Sequence, residues 1–102
     1  MSDELLGRPT TAVVVTGGAS GIGRATCRAL AEVGRGVAVW DLNGAGAKET
    51  ATECADRFGV ATTSLEIDVR DSDAIAAGVK PALDALGAVG GLVHAAPPAG
   101  SR

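Results

Sequence analysis

An octet near the beginning of the chain reads Thr16-Gly17-Gly18-Ala19-Ser20-Gly21-Ile22-Gly23. The segment before it, from Thr11 to Thr16, is short and nearly all apolar, which predicts a strand buried on both faces of a parallel sheet. A helix is predicted after it, stopping near Gly34, because apolar residues recur at helical spacing: Ile22, Ala25, Ala29, Leu30 and Val33. The octet is therefore predicted to form a turn between a strand and a helix.

Glycine has a physical purpose in such a turn. Gly17, Gly21 and Gly23 carry no Cβ where the chain must turn sharply, where backbone must approach a ligand and where the helix must pack on the strand. A helix that begins at the turn presents free N–H groups and the positive end of its dipole to an anion such as a pyrophosphate. The turn is not a Walker loop, because Arg24 follows Gly23 where a Gly-Lys-Ser/Thr ending is needed. The alternative interpretation is a structural turn that binds nothing.

The glycine spacing resembles the cofactor loop of the short-chain dehydrogenases/reductases. The shared pattern is Thr-Gly, three residues, then Gly-Ile-Gly, and it lies between a predicted strand and a predicted helix as the motif requires. The resemblance implies a Rossmann-type sheet and a dinucleotide cofactor. It also implies that the cofactor contacts five residues of the octet: Gly17, Ser20, Gly21, Ile22 and Gly23.

Asp41 is the second candidate residue. It ends a predicted strand over 36–41 and lies eighteen positions beyond Gly23, close to the interval of about 20 residues expected for the acid that binds a ribose diol. A carboxylate would repel a 2′-phosphate, and neither Ser20 nor Leu42 supplies a basic side chain. These residues favour NAD over NADP, with Leu42 beside the cofactor. The alternative is a turn or helix-cap aspartate, which Asn43-Gly44 supports.

A third acidic residue follows the third predicted strand. A helix is predicted over 45–58, with Ala47, Ala51, Cys54, Ala55 and Phe58 on its buried side, and a strand over 60–67 precedes Asp68-Val69. The family resemblance implies that the Asp68 carboxylate accepts a hydrogen bond from the exocyclic amine of adenine and that the Val69 N–H contacts a ring nitrogen. Without the glycine loop, an acid at a strand end would be a weak signal.

The last third of the chain completes the predicted fold. Ser72 is expected to cap a helix whose buried side is Ile75, Val79, Leu83 and Leu86. Gly78 and Pro81 predict a kink or break near 78–81. Glycines at 87, 90 and 91 are expected to close the connection to a strand over 92–96.

The predicted fold class is α/β, a Rossmann-type doubly wound parallel sheet truncated after its fourth strand, with strand order 3-2-1-4. Its domain is expected to span 11–96, between a flexible lead over 1–10 and a disordered tail over 97–102. An exposed fourth strand at the sheet edge would invite self-association.

Composition excludes several classes of function. The net charge of −3, with acids and bases interspersed, argues against a nucleic-acid partner, and no apolar run suits a signal peptide or a membrane span. Cys27 and Cys54 show no metal or redox spacing and are expected to be buried or half-buried free thiols in a cytoplasmic protein. No metal site is predicted.

The chain departs from the family pattern in two places. Relatives usually carry Asn-Asn-Ala-Gly at the fourth strand, where this chain has His94-Ala95-Ala96-Pro97. The second position contacts the cofactor largely through its backbone, so Ala95 is retained as a cofactor residue, and His94 is interpreted as structural. The family's catalytic Tyr-x-x-x-Lys is missing, because the chain has no tyrosine. No catalytic residue is predicted.

Two functions follow as expectations. The first is an NAD(P)-dependent oxidoreductase that moves hydride between nicotinamide and an alcohol or carbonyl substrate, represented here by its cofactor-binding half and inactive alone. The alternative is a stand-alone nucleotide-binding or regulatory module without catalysis.

Overall fold

The structure, a computed structural model, describes residues 11–19, 21–68, 70–87 and 89–95. Strands and helices alternate in the order β1 (Ala12–Thr16), α1 (Gly21–Glu32), β2 (Val37–Asp41), α2 (Gly44–Phe58), β3 (Thr62–Glu66), α3 (Ser72–Leu86) and β4 (Val89–His94). The predicted lead over 1–10, the tail over 97–102, Ser20, Val69 and Ala96 lie outside the described residues.

The four strands form one parallel sheet in the order β3-β2-β1-β4, which confirms the predicted topology. Strand β1 is buried along its whole length because helices cover both faces of the sheet there. On one face, α1 and α2 pack over the valines of β1 and β2, together with Cys27 and Cys54. On the other face, α3 packs over a second cluster of five buried residues: Val14, Ala38, Trp40, Ile67 and Ala82.

Both cysteines are buried free thiols, as the sequence predicted. Burial raises the pKa of the Cys27 thiol to about 12, and the neighbouring Cys54 adds to the shift. Burial likewise raises the pKa of Cys54. Both thiols stay protonated at neutral pH and act as small apolar core groups rather than nucleophiles.

Of the apolar residues whose spacing predicted α1, Leu30 is partly buried and packs against the core. Ile22 and Val33 are exposed, and the buried residues are Gly23, Cys27 and Ala31. These three small residues follow one another at intervals of four, on one side of the helix. They let the helix backbone approach the sheet closely, and this close approach decides the packing side. The α2 prediction is confirmed for Ala47, Ala51 and Cys54.

Helix α3 differs from the prediction in two respects. Its N-cap is Asp71, not Ser72, because the Asp71 carboxylate accepts hydrogen bonds from the Asp73 and Ala74 N–H groups. The helix does not break at Pro81, which lies inside it on the exposed side, where water can reach the carbonyl group that proline leaves unpaired. Gly78 is buried, and a Cβ there would lie 2.8 Å from Leu65 Cδ2.

The predicted buried side of α3 is correct for Ile75 and Leu86, which are partly buried and pack against the cluster on this face. Gly78 and Ala82 are buried, whereas Val79 and Leu83, which were predicted to be buried, are substantially exposed.

Strand β4 also begins earlier than predicted, at Val89, so Gly90 and Gly91 belong to the strand and not to the connection before it. A Cβ on Gly90 would overlap the Thr11 side chain, so a strand this close to Thr11 needs glycine at that position.

Candidate cofactor-binding site

The predicted site residues lie along one edge of the sheet, where all four parallel strands end. Asp68 follows β3, Asp41 ends β2, the glycine loop follows β1 and Ala95 follows β4. Neighbouring strands are spaced about 4.8 Å apart, so these positions span roughly 14 Å from the β3 end to the β4 end. The sheet thus places the candidate residues in one row.

The glycine loop is fixed to the sheet by backbone contacts. The Gly17 N–H donates a 2.8 Å hydrogen bond to the carbonyl of Trp40 at the end of β2. A Cβ on Gly23 would overlap the Gly17 carbonyl oxygen and lie 2.6 Å from its carbon, so the first turn of α1 can close on the loop only with glycine there. Gly21 has a φ of +61°, with no atom near the position of a Cβ.

The N-terminus of α1 has the properties of an anion site. No acidic side chain lies in the first turn of the helix. The amide groups and the helix dipole of this turn are therefore not offset by a carboxylate of the helix itself. Ile22 is 76% exposed at the same turn, which leaves an apolar surface beside the anion position. This combination suits the phosphate and apolar parts of a nucleotide.

Asp41 joins the glycine loop to the turn that follows β2. Its Oδ2 accepts a 3.1 Å hydrogen bond from the Ala19 N–H, and its Oδ1 accepts a 2.8 Å hydrogen bond from the Asn43 N–H. The second bond is the aspartate turn that the alternative interpretation predicted. Each carboxylate oxygen has two acceptor positions, so the hydrogen bonds from the described residues leave one position on each oxygen. Two such acceptors match the two hydroxyl groups of a vicinal diol.

Asp68 is held in a different way, by the side chain of Arg70. Its Oδ1 accepts hydrogen bonds from the Arg70 backbone N–H at 2.9 Å and from Nε at 3.0 Å, and its Oδ2 accepts one from Nη2 at 2.9 Å. These contacts, the side-chain hydrogen bond first, lower the pKa of Asp68 from 3.8 to about 2. Asp68 and Asp41 share no direct contact, although the Ile67 N–H donates to the Asp41 carbonyl.

The β4 end of the row is tied to β1. The Ala95 N–H donates a 3.0 Å hydrogen bond to the Thr16 carbonyl, directly before the glycine loop. The buried Thr16 hydroxyl lies 2.7 Å from Nδ1 of His94, a contact that supports the structural interpretation of His94. Ala95 is thus in place at the edge of the candidate site through its backbone.

A cluster of charged residues between α1 and α2 lies outside this row. The Glu53 carboxylate accepts hydrogen bonds from Arg24, Arg28 and Arg57. These partners, Arg28 first, lower the pKa of Glu53 to about 2. A surface groove of about 460 Å³ runs beside Arg24 and α2. The groove is lined by Arg24 and by six residues of α2, and none of the candidate residues lines it. It is therefore not part of the candidate site.

The sequence located most of the row but missed Arg70. Leu42 is 62% exposed next to Asp41, and Ser20 and Val69 lie outside the described residues. The only sequence signal for Arg70 is a basic residue two positions after a strand-end acid, which is a common surface pattern. Over the ranges that the structure describes, no three acidic, cysteine or histidine side chains form a metal cluster. Within the same ranges, no helix is long and apolar enough to cross a membrane.

Comparison with known proteins agrees with this geometry. The family profile for the short chain dehydrogenases matches residues 11–100. The 2-dehydro-3-deoxy-L-rhamnonate dehydrogenase (NAD(+)) of a Sphingomonas strain is 40% identical over 81% of this chain and 31% of its own length. The hydroxysteroid dehydrogenase of Escherichia coli superposes with a TM-score of 0.78 and 26% identity, over 92% of this chain and 39% of that structure.

A third comparison includes a bound cofactor. The structure of an NAD+-bound xylitol dehydrogenase superposes with a TM-score of 0.75 and 27% identity, over 82% of this chain and 32% of that structure. The chain spans about a third of the length of each of these relatives. With the family profile matching most of the chain, these findings show that it belongs to the short-chain dehydrogenase family of oxidoreductases.

Proposed function

We propose that this chain supplies the adenosine-binding half of an NAD-dependent oxidoreductase, and that the glycine loop, Asp41 and Asp68-Val69 hold the cofactor. The observation that carries the proposal is the Asp41 carboxylate, which is fixed to the loop through Ala19 and to the turn through Asn43. It keeps one acceptor position on each oxygen for the ribose hydroxyl groups. A phosphate at the same place would meet a negative charge, which supports NAD over NADP.

The residues fit the cofactor from one end of the row to the other. Adenine would lie at the β3 end against Asp68 and Val69, and the ribose would lie at Asp41 with Leu42 beside it. The pyrophosphate would lie on the N–H groups of Gly21, Ile22 and Gly23, close to Gly17 and Ser20. The nicotinamide side would lie towards Ala95. The cofactor supplies the hydride chemistry, and this chain binds and orients it.

Catalysis is proposed to need residues that this chain does not contain. The family's acid/base tyrosine is absent, since the chain has no tyrosine. His94 is engaged with Thr16. We propose an alcohol or carbonyl compound as the substrate of the complete enzyme, and no turnover by the 102-residue chain alone. The buried free thiols support a reducing, cytoplasmic compartment.

Calorimetric titration of the purified chain with NAD and NADP tests this function. We expect saturable NAD binding, with NADP at least about tenfold weaker because a carboxylate at the ribose repels its additional phosphate. The Asp41→Ala variant should weaken NAD binding by at least about a hundredfold, since two hydrogen bonds to a charged group contribute about 1.5–3 kcal/mol each. Asp84→Ala, which removes an exposed carboxylate from α3, is the matched control and should bind like the wild type. Equal affinity for NAD and NADP would refute the cofactor assignment.

The exposed edge of β4 supports a second copy of the chain as a partner. Among the described strands, β4 pairs with β1 alone, and its Leu92 side chain is 62% exposed. An open apolar edge favours pairing with another strand. Sedimentation velocity should show a dimer whose population falls in Leu92→Lys. A monomeric wild type at high concentration would exclude this partner.

The non-catalytic alternative, a nucleotide-binding or regulatory module, is favoured by the same missing tyrosine. A turnover assay separates the two proposals only in the presence of the remaining segments of the enzyme. Adding a separately produced second half should restore hydride transfer if the chain is part of an enzyme. No activity from a folded, NAD-binding mixture would favour the module.

A further inference from the structure

Asp68 lies at the edge of the sheet where the strands end, but its carboxylate is held in place by hydrogen bonds. Among the described residues, only Arg70 donates hydrogen bonds to it, three in all. The Arg70 side chain is 80% exposed, and its described polar contacts all go to Asp68. The guanidinium group therefore serves this carboxylate and no other described group.

The hydrogen bonds from Arg70 occupy three of the four acceptor positions of the Asp68 carboxylate. A carboxylate oxygen accepts two hydrogen bonds, and Oδ1 of Asp68 already accepts two, from the Arg70 backbone N–H and from Nε. Oδ2 accepts one from the described residues, from Nη2, which leaves it one position. The guanidinium fork is planar and rigid, so it also fixes the plane of the carboxylate. The side chain of Asp68 is 36% exposed, so the remaining position on Oδ2 is accessible.

We propose that Arg70 is a positioning residue that converts Asp68 into a single, oriented acceptor for the amino group of a purine, and thereby selects a 6-amino base over a 6-oxo base. The inference rests on the proposed function, in which Asp68 faces adenine. A 6-amino group donates to the available position on Oδ2. A 6-oxo group presents an acceptor to an acceptor, and a carboxylate held in one plane cannot turn away from it.

Two roles of Arg70 are separable by substitution. The positive charge offsets the negative charge of Asp68, and a lysine would keep that effect. The paired contacts to Oδ1 and Oδ2 need the guanidinium fork, and a lysine cannot reproduce them. The proposal assigns selectivity to the fork, so Arg70→Lys should behave like Arg70→Ala.

The test is calorimetric titration of the full chain with AMP and with IMP. The measured quantity is the ratio of the IMP dissociation constant to the AMP dissociation constant. We expect the wild type to prefer AMP, and Arg70→Ala and Arg70→Lys to lower the ratio about threefold to tenfold, which corresponds to the cost of ordering one free side chain on binding. Arg57→Ala removes another exposed arginine that is bound to a carboxylate, and it should leave the ratio unchanged.

The outcomes separate this inference from the proposed function. An unchanged ratio in both Arg70 variants, with normal AMP preference in the wild type, overturns the role of Arg70 alone. Full recovery by Arg70→Lys, or tighter AMP binding by Arg70→Ala, also overturns it, because charge or blocking would then explain the residue. A wild type that does not distinguish AMP from IMP overturns the adenine assignment of Asp68, and the role of Arg70 falls with it.

Discussion

Asp41 and Asp68 stand at the ends of neighbouring strands of one sheet, but the chain holds them by different means. Asp41 is held by backbone N–H groups of two separate segments, at Ala19 and Asn43. Asp68 is held by one nearby residue, Arg70. The first carboxylate is part of the fold, because it fixes the glycine loop to the sheet. The second is a local arrangement that can change without moving the sheet.

The difference shows how binding and stability are related along this edge. Where backbone groups hold a binding side chain, substitution disturbs the loop and the ligand contact together. Where an exposed side chain holds it, the fold is expected to be indifferent, since exposed ion pairs contribute little to stability. Asp41 should therefore affect both folding and binding, and Asp68 should affect binding alone.

The largest expected effect comes from filling the loop that Asp41 fixes. Gly23→Ala places a Cβ on the Gly17 carbonyl, a backbone group that cannot move aside without displacing the loop. Overpacking of this kind costs about 1–3 kcal/mol of stability, and we expect the upper end of that range together with complete loss of NAD binding. Chemical denaturation and calorimetry of the same sample measure both effects.

Gly21→Ala is the matched control for that substitution. Its Cβ meets no atom within 4 Å, so only the positive φ of +61° opposes it. The left-handed conformation costs about 1–2 kcal/mol for a residue with a Cβ, and some NAD binding should remain. If Gly23→Ala bound NAD as well as Gly21→Ala does, close packing of α1 on the loop would not be what forms the site.

Without ligand, replacing Asp41 should lower the stability of the fold, and replacing Asp68 should not. Asp41→Ala leaves the N–H group of the buried Ala19 without its acceptor, which costs about 1–3 kcal/mol. Asp68→Ala leaves only exposed groups of Arg70 unpaired and should not change the melting temperature measurably. Thermal unfolding followed by circular dichroism compares the two variants directly. Equal destabilisation by both would refute the distinction between a backbone-held and a side-chain-held acid.

The smallest effect is a shift in the titration of Asp68. Arg70 lowers its pKa from 3.8 to about 2, so the ion pair stays formed above pH 4 and is lost as the pH falls through about 2. Carbon-detected NMR of the side-chain carboxyl should place the wild-type midpoint near the lower value. In Arg70→Ala the midpoint should return towards about 3.9, the value of an unperturbed aspartate. A midpoint that does not move would show that Arg70 does not hold this carboxylate in solution.

The sequence predicted the sheet because its signals were local and strong. Apolar strand runs, Gly59 at the end of α2 and acids at strand ends all depend on neighbours in the chain, and the predicted order β3-β2-β1-β4 is confirmed. The buried side of α3 was predicted from apolar spacing and was wrong at Val79 and Leu83, and on α1 the apolar Ile22 is exposed. Small residues, not large apolar ones, mark where these helices approach the sheet most closely.

In the candidate site, too, some features could be predicted from the sequence and others could not. The glycine loop and Asp41 carry a motif with fixed spacing, and the structure brings them together through Ala19. The roles of Arg70 and Gly78 depend on what lies opposite them in space, Asp68 for one and Trp40 for the other. No spacing rule in a single sequence reports such a partner. Their contributions became visible only with the folded backbone.

Titration of the backbone amide NMR spectrum with NAD tests the central claim most directly. The claim is that the row of strand ends from Asp68 to Ala95 forms the cofactor site. It predicts saturable shifts concentrated at the glycine loop, at Asp41 to Asn43 and around Asp68 and Ala95, with the amides of α3 beyond Gly78 unchanged. A folded chain whose amides do not respond to NAD, or respond mainly along the Glu53 groove between α1 and α2, would contradict the account.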